Sequence, residues 1–242
     1  MKAILLAAGV GKRFGKETQA LPKCLIPLGK KGENLLARYL DAFRKTGLRE
    51  VVIVSGHRRD KIKKECRRKG KGLRIRFLLN KQYREGSVVS LFTARKEFDV
   101  DCLIMDADVY FPVSALKRLL RSEYRTAFLV DRRAKSTGEE MMLMAKNGRP
   151  FYISKKVKPR LEILGENVGF LKLAREDAPV LRGALEKFVR QGKTTVEYEE
   201  TYNLLMREIK AGCVPIDGLF WTEMDFPQDR EKIAAHLRRV RP

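Results

Sequence analysis

Four short segments of the 242-residue chain carry side chains suited to handling phosphate. The first is Leu6-Ala7-Ala8-Gly9-Val10-Gly11-Lys12-Arg13-Phe14-Gly15. Glycines let a backbone approach a ligand closely, and successive N–H groups can cradle phosphate oxygens. The pattern is not a P-loop, because Gly11-Lys12 is followed by Arg13 instead of Ser or Thr. It is not the dinucleotide fingerprint either: the third glycine is displaced to Gly15, and the second strand ends in Ser55-Gly56-His57 without a ribose-binding acid. The second segment, Leu21-Pro22-Lys23-Cys24-Leu25-Ile26-Pro27-Leu28, sets one lysine among apolar residues and prolines. That lysine reads either as a snorkelling edge residue or as a fixed cation for the same phosphates. The third, Met105-Asp106-Ala107-Asp108-Val109-Tyr110, puts two carboxylates after an apolar run. Magnesium favours one or two carboxylates together with substrate phosphates, although aspartates at strand ends also cap turns. The fourth, Phe220-Trp221-Thr222-Glu223-Met224-Asp225-Phe226-Pro227-Gln228-Asp229, offers Asp225 as a second metal carboxylate or as the cap of a helix opening at Pro227.

These segments need elements to bring them together. Residues 2–7, 51–55, 74–79 and 102–105 read as strands, and residues 34–46, 59–70 and 87–97 have helical periodicity. Such βαβ alternation predicts a largely parallel sheet with helices on both faces and ligands beyond the carboxyl ends of the strands. Residues 8–23 and 106–111 fall at those ends. After residue 125 the pieces shorten. A hairpin is expected from 141–145 and 149–153 around Asn147-Gly148, then a strand at 166–171. Helices at 176–191 and 199–211, a last strand near 213–221 and a terminal helix from about 228 complete the reading. It amounts to one α/β domain over 1–242 whose pattern changes after residue 125, the later part carrying a substrate-facing insertion.

Composition narrows the function classes. Hydrophobic residues make up 44%, as in an ordinary globular protein. No apolar run approaches the roughly 20 residues of a membrane-spanning helix. The opening apolar stretch is short and runs into Gly9-Val10-Gly11-Lys12-Arg13, so it reads as a buried strand and not as a leader. Cys24, Cys66, Cys102 and Cys213 have neither zinc-ligand nor disulfide-scaffold spacing, which fits a reducing cytoplasm. With only His57 and His236, imidazole-based catalysis is not expected. Lys and Arg number 52 against 30 acids, a net +22 that attracts anions of any kind. The basic residues are spread along the chain, as in Arg58-Arg59-Asp60-Lys61-Ile62-Lys63-Lys64, and read as solvated helix faces; nucleic acid is not expected as a partner, and no stable membrane anchor is visible.

Taken together, Ala-Ala-Gly-x-Gly-x-Arg, Pro-Lys, a strand-end Asp and a late Trp-x-Glu-x-Asp resemble the nucleotidyltransferases that make nucleoside-diphosphate sugars and alcohols. The resemblance runs from residue 1 to about 233. Glu85-Gly86-Ser87-Val88-Val89-Ser90-Leu91, Ile153-Ser154-Lys155, Gly165-Glu166-Asn167-Val168-Gly169 and Trp221-Thr222-Glu223-Met224-Asp225 resemble most the phosphocholine and inositol-phosphate cytidylyltransferases. The resemblance implies an α/β, Rossmann-like, mostly parallel sheet flanked by helices, with a small β-rich acceptor-binding insertion. It implies transfer of CMP from CTP to a small phosphorylated alcohol, with Mg2+ as cofactor. Ala8, Gly9 and Gly11 would line the nucleotide, with Gly86 and Ser87 near base and ribose. Arg13 would reach the β- and γ-phosphates, Lys23 would bridge the phosphates of both substrates, and Lys155 would face the acceptor phosphate. Asp108 and Asp225 would bind magnesium, while Glu166, Gly169 and Trp221 would border the acceptor pocket. Asp106 stands where many relatives carry a small residue, so it serves either metal or acceptor. Tyr110, Tyr152, Tyr198, Tyr202 and Trp221, with Glu139, Glu140 or Glu166, could cage a cationic head group. UTP or dTTP with a sugar phosphate is the alternative within the enzyme class, and a basic nucleotide- or nucleic-acid-binding module is the alternative outside it.

Overall fold

The first apolar run becomes β1 (Lys2–Ala7), buried along its whole length, as expected of a strand covered on both faces. The computed structural model describes residues 1–29 and 32–240. A short helix α1 (Glu17–Ala20) follows the glycine loop and leads to α2 (Leu35–Lys45). Helix α2 starts where the Asn34 side chain accepts from the Ala37 N–H at 2.9 Å, and it buries Leu35, Leu36, Tyr39, Leu40 and Phe43 along one stripe. Next come β2 (Glu50–Ser55), α3 (Arg59–Lys69), β3 (Arg74–Leu79), α4 (Ser87–Thr93) and β4 (Cys102–Asp106). Helix α4 is shorter than its periodicity predicts, giving way to a 3-10 turn at Arg95–Glu97. The two-residue β5 (Val109–Tyr110) precedes α5 (Val113–Arg121) and β6 (Ala127–Asp131).

The second half contains the expected hairpin, β7 (Met142–Lys146) and β8 (Arg149–Ser154), turning at Asn147 with φ 54° and Gly148 with φ 70°. It then forms β9 (Glu162–Leu173), α6 (Ala178–Arg190), α7 (Glu199–Glu208), β10 (Gly212–Pro215), β11 (Thr222–Glu223) and α8 (Pro227–Arg239). The strand expected near 213–221 is two strands: β10 ends at Pro215, a turn at Asp217-Gly218 follows, and β11 pairs elsewhere.

The main sheet runs β10-β6-β9-β4-β1-β2-β3, with β7 and β8 attached through β9. Strands β1, β2, β3 and β4 are parallel, whereas β9 runs antiparallel between β4 and β6. The architecture is thus a mostly parallel mixed sheet flanked by helices, Rossmann-like. Alternation along β1 divides the core: Ala3, Leu5 and Ala7 face one hydrophobic cluster, and Ile4, Leu6 and Ala8 the other. Both layers end at the carboxyl edge of β1 and β4, where the candidate site opens. No helix among the described residues is long and apolar enough to cross a membrane.

Candidate active site

The loop after β1 is held in shape by its own neighbours. Gly11 has φ 64°, and a Cβ there would lie 3.0 Å from Thr18 Cγ2. The Thr18 hydroxyl donates toward Gly11 O (3.0 Å) and Gly15 O (2.8 Å), fastening the turn that presents Lys12 and Arg13. Ala8 O accepts from the His57 N–H at 3.1 Å, tying the loop to the end of β2.

Lys23 begins a 3-10 turn after Pro22 and points into the carboxyl end of the sheet. Its Nζ lies 2.5 Å from Asp108 Oδ2 and 2.6 Å from Asp225 Oδ1, and Arg13 reaches Asp225 Oδ2 at 2.5 Å. Two residues 117 positions apart in sequence thus flank one ammonium group, and the strand pair β5–β11 explains how. Thr222 pairs with Tyr110 and Glu223 with Val109, and the Met224 N–H donates to Asp108 O at 2.9 Å. Asp225 is not the cap of α8. Asp229 Oδ2 accepts from the N–H groups of Asp225 (3.1 Å) and Phe226 (2.9 Å), which leaves the Asp225 carboxylate for the two cations.

Burial acts against the Lys23 charge, but Asp108 and Asp225 outweigh it and raise its pKa above the ordinary lysine value. Glu223, beside them, is pushed up to about 8 by burial and by those same two carboxylates. Asp106 is pushed well above the usual carboxylate range by burial, with Glu199 and Asp108 adding to it; the Tyr198 hydroxyl donates to its Oδ2 at 2.5 Å. Gly169, at φ 80°, is pressed against this carboxylate, since a Cβ there would lie 2.5 Å from Asp106 Oδ2. Glu199 is raised to about 8, chiefly by burial.

Two adjoining cavities open here, of about 250 and 480 Å3. Both touch Gly9, Lys12 and Asp108; the smaller holds Gly11, Arg13 and Lys23, the larger Ala8, Gly86, Ser87 and Asp106. Among the described residues no three His, Cys, Asp or Glu side chains form a metal cage. Two carboxylates converging on one cation nonetheless suit a hard divalent ion that takes its remaining oxygens from phosphates.

Among the acceptor-side candidates, Gly169 lies against Asp106, and Glu166 acts on Glu223 together with Asp108, Asp225 and Lys23. Glu166, on β9 opposite Asp131, is raised to about 7 by burial, then by Glu140 and Asp131. Trp221 Nε1 donates to Asp131 Oδ2 at 2.9 Å. Lys155 lies 3.6 Å from Glu139 at the end of β8. Asn167 is buried, and its Oδ1 has no hydrogen-bond partner among the described residues. The five aromatics that could have formed a cage do not come together. Tyr110 lies under Arg38, Tyr152 lies under Lys158, and Tyr198 and Tyr202 pack edge to face in the core. Trp221 reaches the acidic group of Asp131, Glu140 and Glu166 through its hydrogen bond to Asp131. Sequence reasoning also missed the connection between α6 and α7, where Thr195 and Glu197 border the larger cavity and Tyr198 reaches Asp106. Its signal was an aromatic and three acids at the entry to α7, Glu197-Tyr198-Glu199-Glu200.

A glycine loop, a bridging lysine and two strand-end aspartates on a mixed Rossmann-like sheet define a nucleotide-handling transferase fold. Residues 3–180 match the MobA-like NTP transferase domain, and the chain belongs to that family. Among curated relatives it is 25% identical over 254 residues to the CTP:phosphoglutamine cytidylyltransferase of Campylobacter jejuni, covering 96% of this chain and 98% of that one. It is 30% identical over 155 residues to the choline-phosphate cytidylyltransferase of Haemophilus influenzae, covering 62% of this chain and 60% of that protein. The solved CTP:phosphocholine cytidylyltransferase of Streptococcus pneumoniae superposes with a TM-score of 0.73 at 18% identity, covering 98% of each chain, which shows a shared fold.

Proposed function

We propose that the protein is a magnesium-dependent cytidylyltransferase that moves CMP from CTP to a small phosphorylated alcohol, choline phosphate or a similar compound, in the cytoplasm. The observation that carries this reading is the Lys23 ammonium held between Asp108 and Asp225 at the mouth of the glycine loop. The nucleotidyltransferase family and its cytidylyltransferase relatives support it.

The reaction joins two polyanions. A phosphomonoester is largely dianionic near neutrality, its second pKa being about 6, so its oxygen needs no general base. That oxygen attacks the α-phosphorus of CTP in line; a P–O bond forms as the bond to the bridging oxygen breaks, and pyrophosphate leaves with the electron pair. Positioning and charge neutralisation therefore dominate catalysis. Backbone N–H groups from Ala8 to Gly11 cradle the triphosphate, Arg13 neutralises its β- and γ-phosphates, and Lys23 lies between donor and acceptor phosphates. Lys155 meets the acceptor phosphate, while Glu166, Gly169, Asp106 and Trp221 border the acceptor. Magnesium, held by Asp108 and Asp225, would neutralise charge on the phosphates. Residues 1–124 supply most of the nucleotide site and residues 125–242 most of the acceptor site.

Pyrophosphate release with magnesium, measured across four nucleotides and a panel of phosphorylated alcohols and sugars, tests the reading. The expected result is a signal with CTP and a phospho-alcohol that Asp108→Ala abolishes without unfolding the protein. Activity confined to UTP or dTTP with a sugar phosphate would overturn the substrate assignment, and an active Asp108→Ala would overturn the metal assignment.

A further inference from the structure

The connection between α6 and α7 is bound to the 85–88 loop as a strap. The Gly86 N–H donates to Thr194 O (2.8 Å), the Val88 N–H to Val196 O (3.3 Å), and the Thr194 hydroxyl to Glu85 Oε2 (2.5 Å). Position 86 admits no side chain, because backbone atoms of Thr195 and Val196 occupy the place of a Cβ. At the centre is Ser87: its Oγ accepts the Tyr198 N–H at 2.9 Å and donates its one proton to Glu197 Oε2 at 2.6 Å. The other end of the strap is fixed by the Tyr198 hydroxyl on Asp106.

This arrangement determines which hydrogen-bonding groups face the larger cavity. The Ser87 hydroxyl proton is committed, so it cannot donate to a ligand. Glu197 borders the cavity, and its Oε1 has no hydrogen-bond partner among the described residues. A carboxylate can only accept. Lys12 and Arg84 also line this cavity, Arg84 lying over the ring of Tyr83 on the same wall; both are donors suited to phosphate or carbonyl oxygens, so among Lys12, Arg84 and Glu197 the acceptor is Glu197.

The geometry points to Glu197 as the residue that reads the nucleobase, selecting cytosine over uracil or thymine. This rests on the nucleotidyltransferase reading above and adds to it the source of base choice. Cytosine presents its exocyclic amino group where uracil and thymine present a carbonyl oxygen. Against Glu197 the amino group completes a charge-assisted hydrogen bond, whereas a carbonyl sets two acceptors face to face and leaves both unpaired.

Equilibrium titration of CTP and of UTP, each with magnesium, into wild type and Glu197→Gln tests this without requiring turnover. The amide oxygen of Gln can still accept from Ser87, so the strap stays closed, while its NH2 offers a donor to a carbonyl. The wild type should prefer CTP, and the variant should narrow the CTP-to-UTP affinity ratio by about tenfold or more, with its melting temperature unchanged. A wild type that binds the two nucleotides equally, or a variant that keeps the wild-type ratio, would overturn the assignment. CTP-selective binding that narrows in the variant, without pyrophosphate release by the wild type, would count against the transferase reading and still uphold Glu197.

Discussion

Lys23 shows how one side chain can be legible by type and illegible by partner. Its apolar, proline-bounded setting admitted either a snorkelling edge residue or a fixed cation, and its side chain is mostly buried between two carboxylates. Replacing it by methionine would remove the ammonium that Asp108 and Asp225 share, leaving Arg13 on Asp225 alone. Lys23→Met is therefore expected to lose roughly 2 kcal/mol of stability and about a thousandfold in kcat. Added magnesium should restore part of its melting temperature, because a divalent ion can take the place of the missing ammonium; calorimetry with and without metal checks this. The two readings of Asp225, ligand or helix cap, could not be separated in sequence, since both use a carboxylate just before a proline. The structure removes the cap reading by giving that role to Asp229. Asp229→Ala should cost about 1 kcal/mol in denaturant unfolding and raise KM for CTP by leaving the Asp225 backbone untethered.

At the scale of elements, short apolar runs identified the parallel strands β1 to β4, and the one-faced burial of helices imprinted the period that identified most of them. β6 and the 12-residue β9 were harder to read. The apolar pattern of β9 breaks where Gly169 turns to positive φ beside Asp106. That break has a functional consequence. Gly169→Ala would add strain in the backbone and push the Asp106 carboxylate off Tyr198. The expected loss is about 1–3 kcal/mol of stability, with a larger fall in kcat than in nucleotide affinity, read by comparing turnover with CTP titration. The strap was invisible for another reason: its hydrogen bonds join residues more than 100 positions apart, and no local pattern records them. It also brings Thr195 and Glu197 of the second half to the wall of the larger cavity.

Across the whole molecule, two kinds of charge coexist. The surface carries most of the net +22, while the site gathers carboxylates whose protonated forms are favoured in the fold. Glu166, Glu199 and Glu223 move from 4.5 to about 7, 8 and 8, with burial as the largest cause in each case. A carboxyl raised in the folded state binds its proton more tightly there than in the unfolded chain. Its stabilisation is complete below about pH 4.5 and is lost as pH rises toward 8. The ligand-free protein should accordingly melt ~5 °C or more lower at pH 8 than at pH 5.5, and Glu199→Gln should flatten that slope. The basic surface should in turn speed capture of a polyanionic nucleotide. Raising the salt from low ionic strength to 0.3 M, which shortens the screening length to about 6 Å, should lower kcat/KM for CTP severalfold while leaving kcat nearly unchanged.

By itself the sequence determined the class of the protein: a mostly parallel sheet, a glycine loop at the end of its first strand, and a lysine and aspartates suited to phosphates and a hard cation. It could do so because periodicity, glycine and proline placement and residue type are local properties. Only the tertiary structure decided the partnerships. Asp225 meets Lys23 because β11 pairs with β5, Glu197 meets Ser87 because the α6–α7 connection folds back over the 85–88 loop, and four of the five candidate cage aromatics are drawn into the core or under Arg and Lys side chains. Such contacts depend on the packing of segments far apart in the chain, and the free energy that selects them belongs to the assembled core.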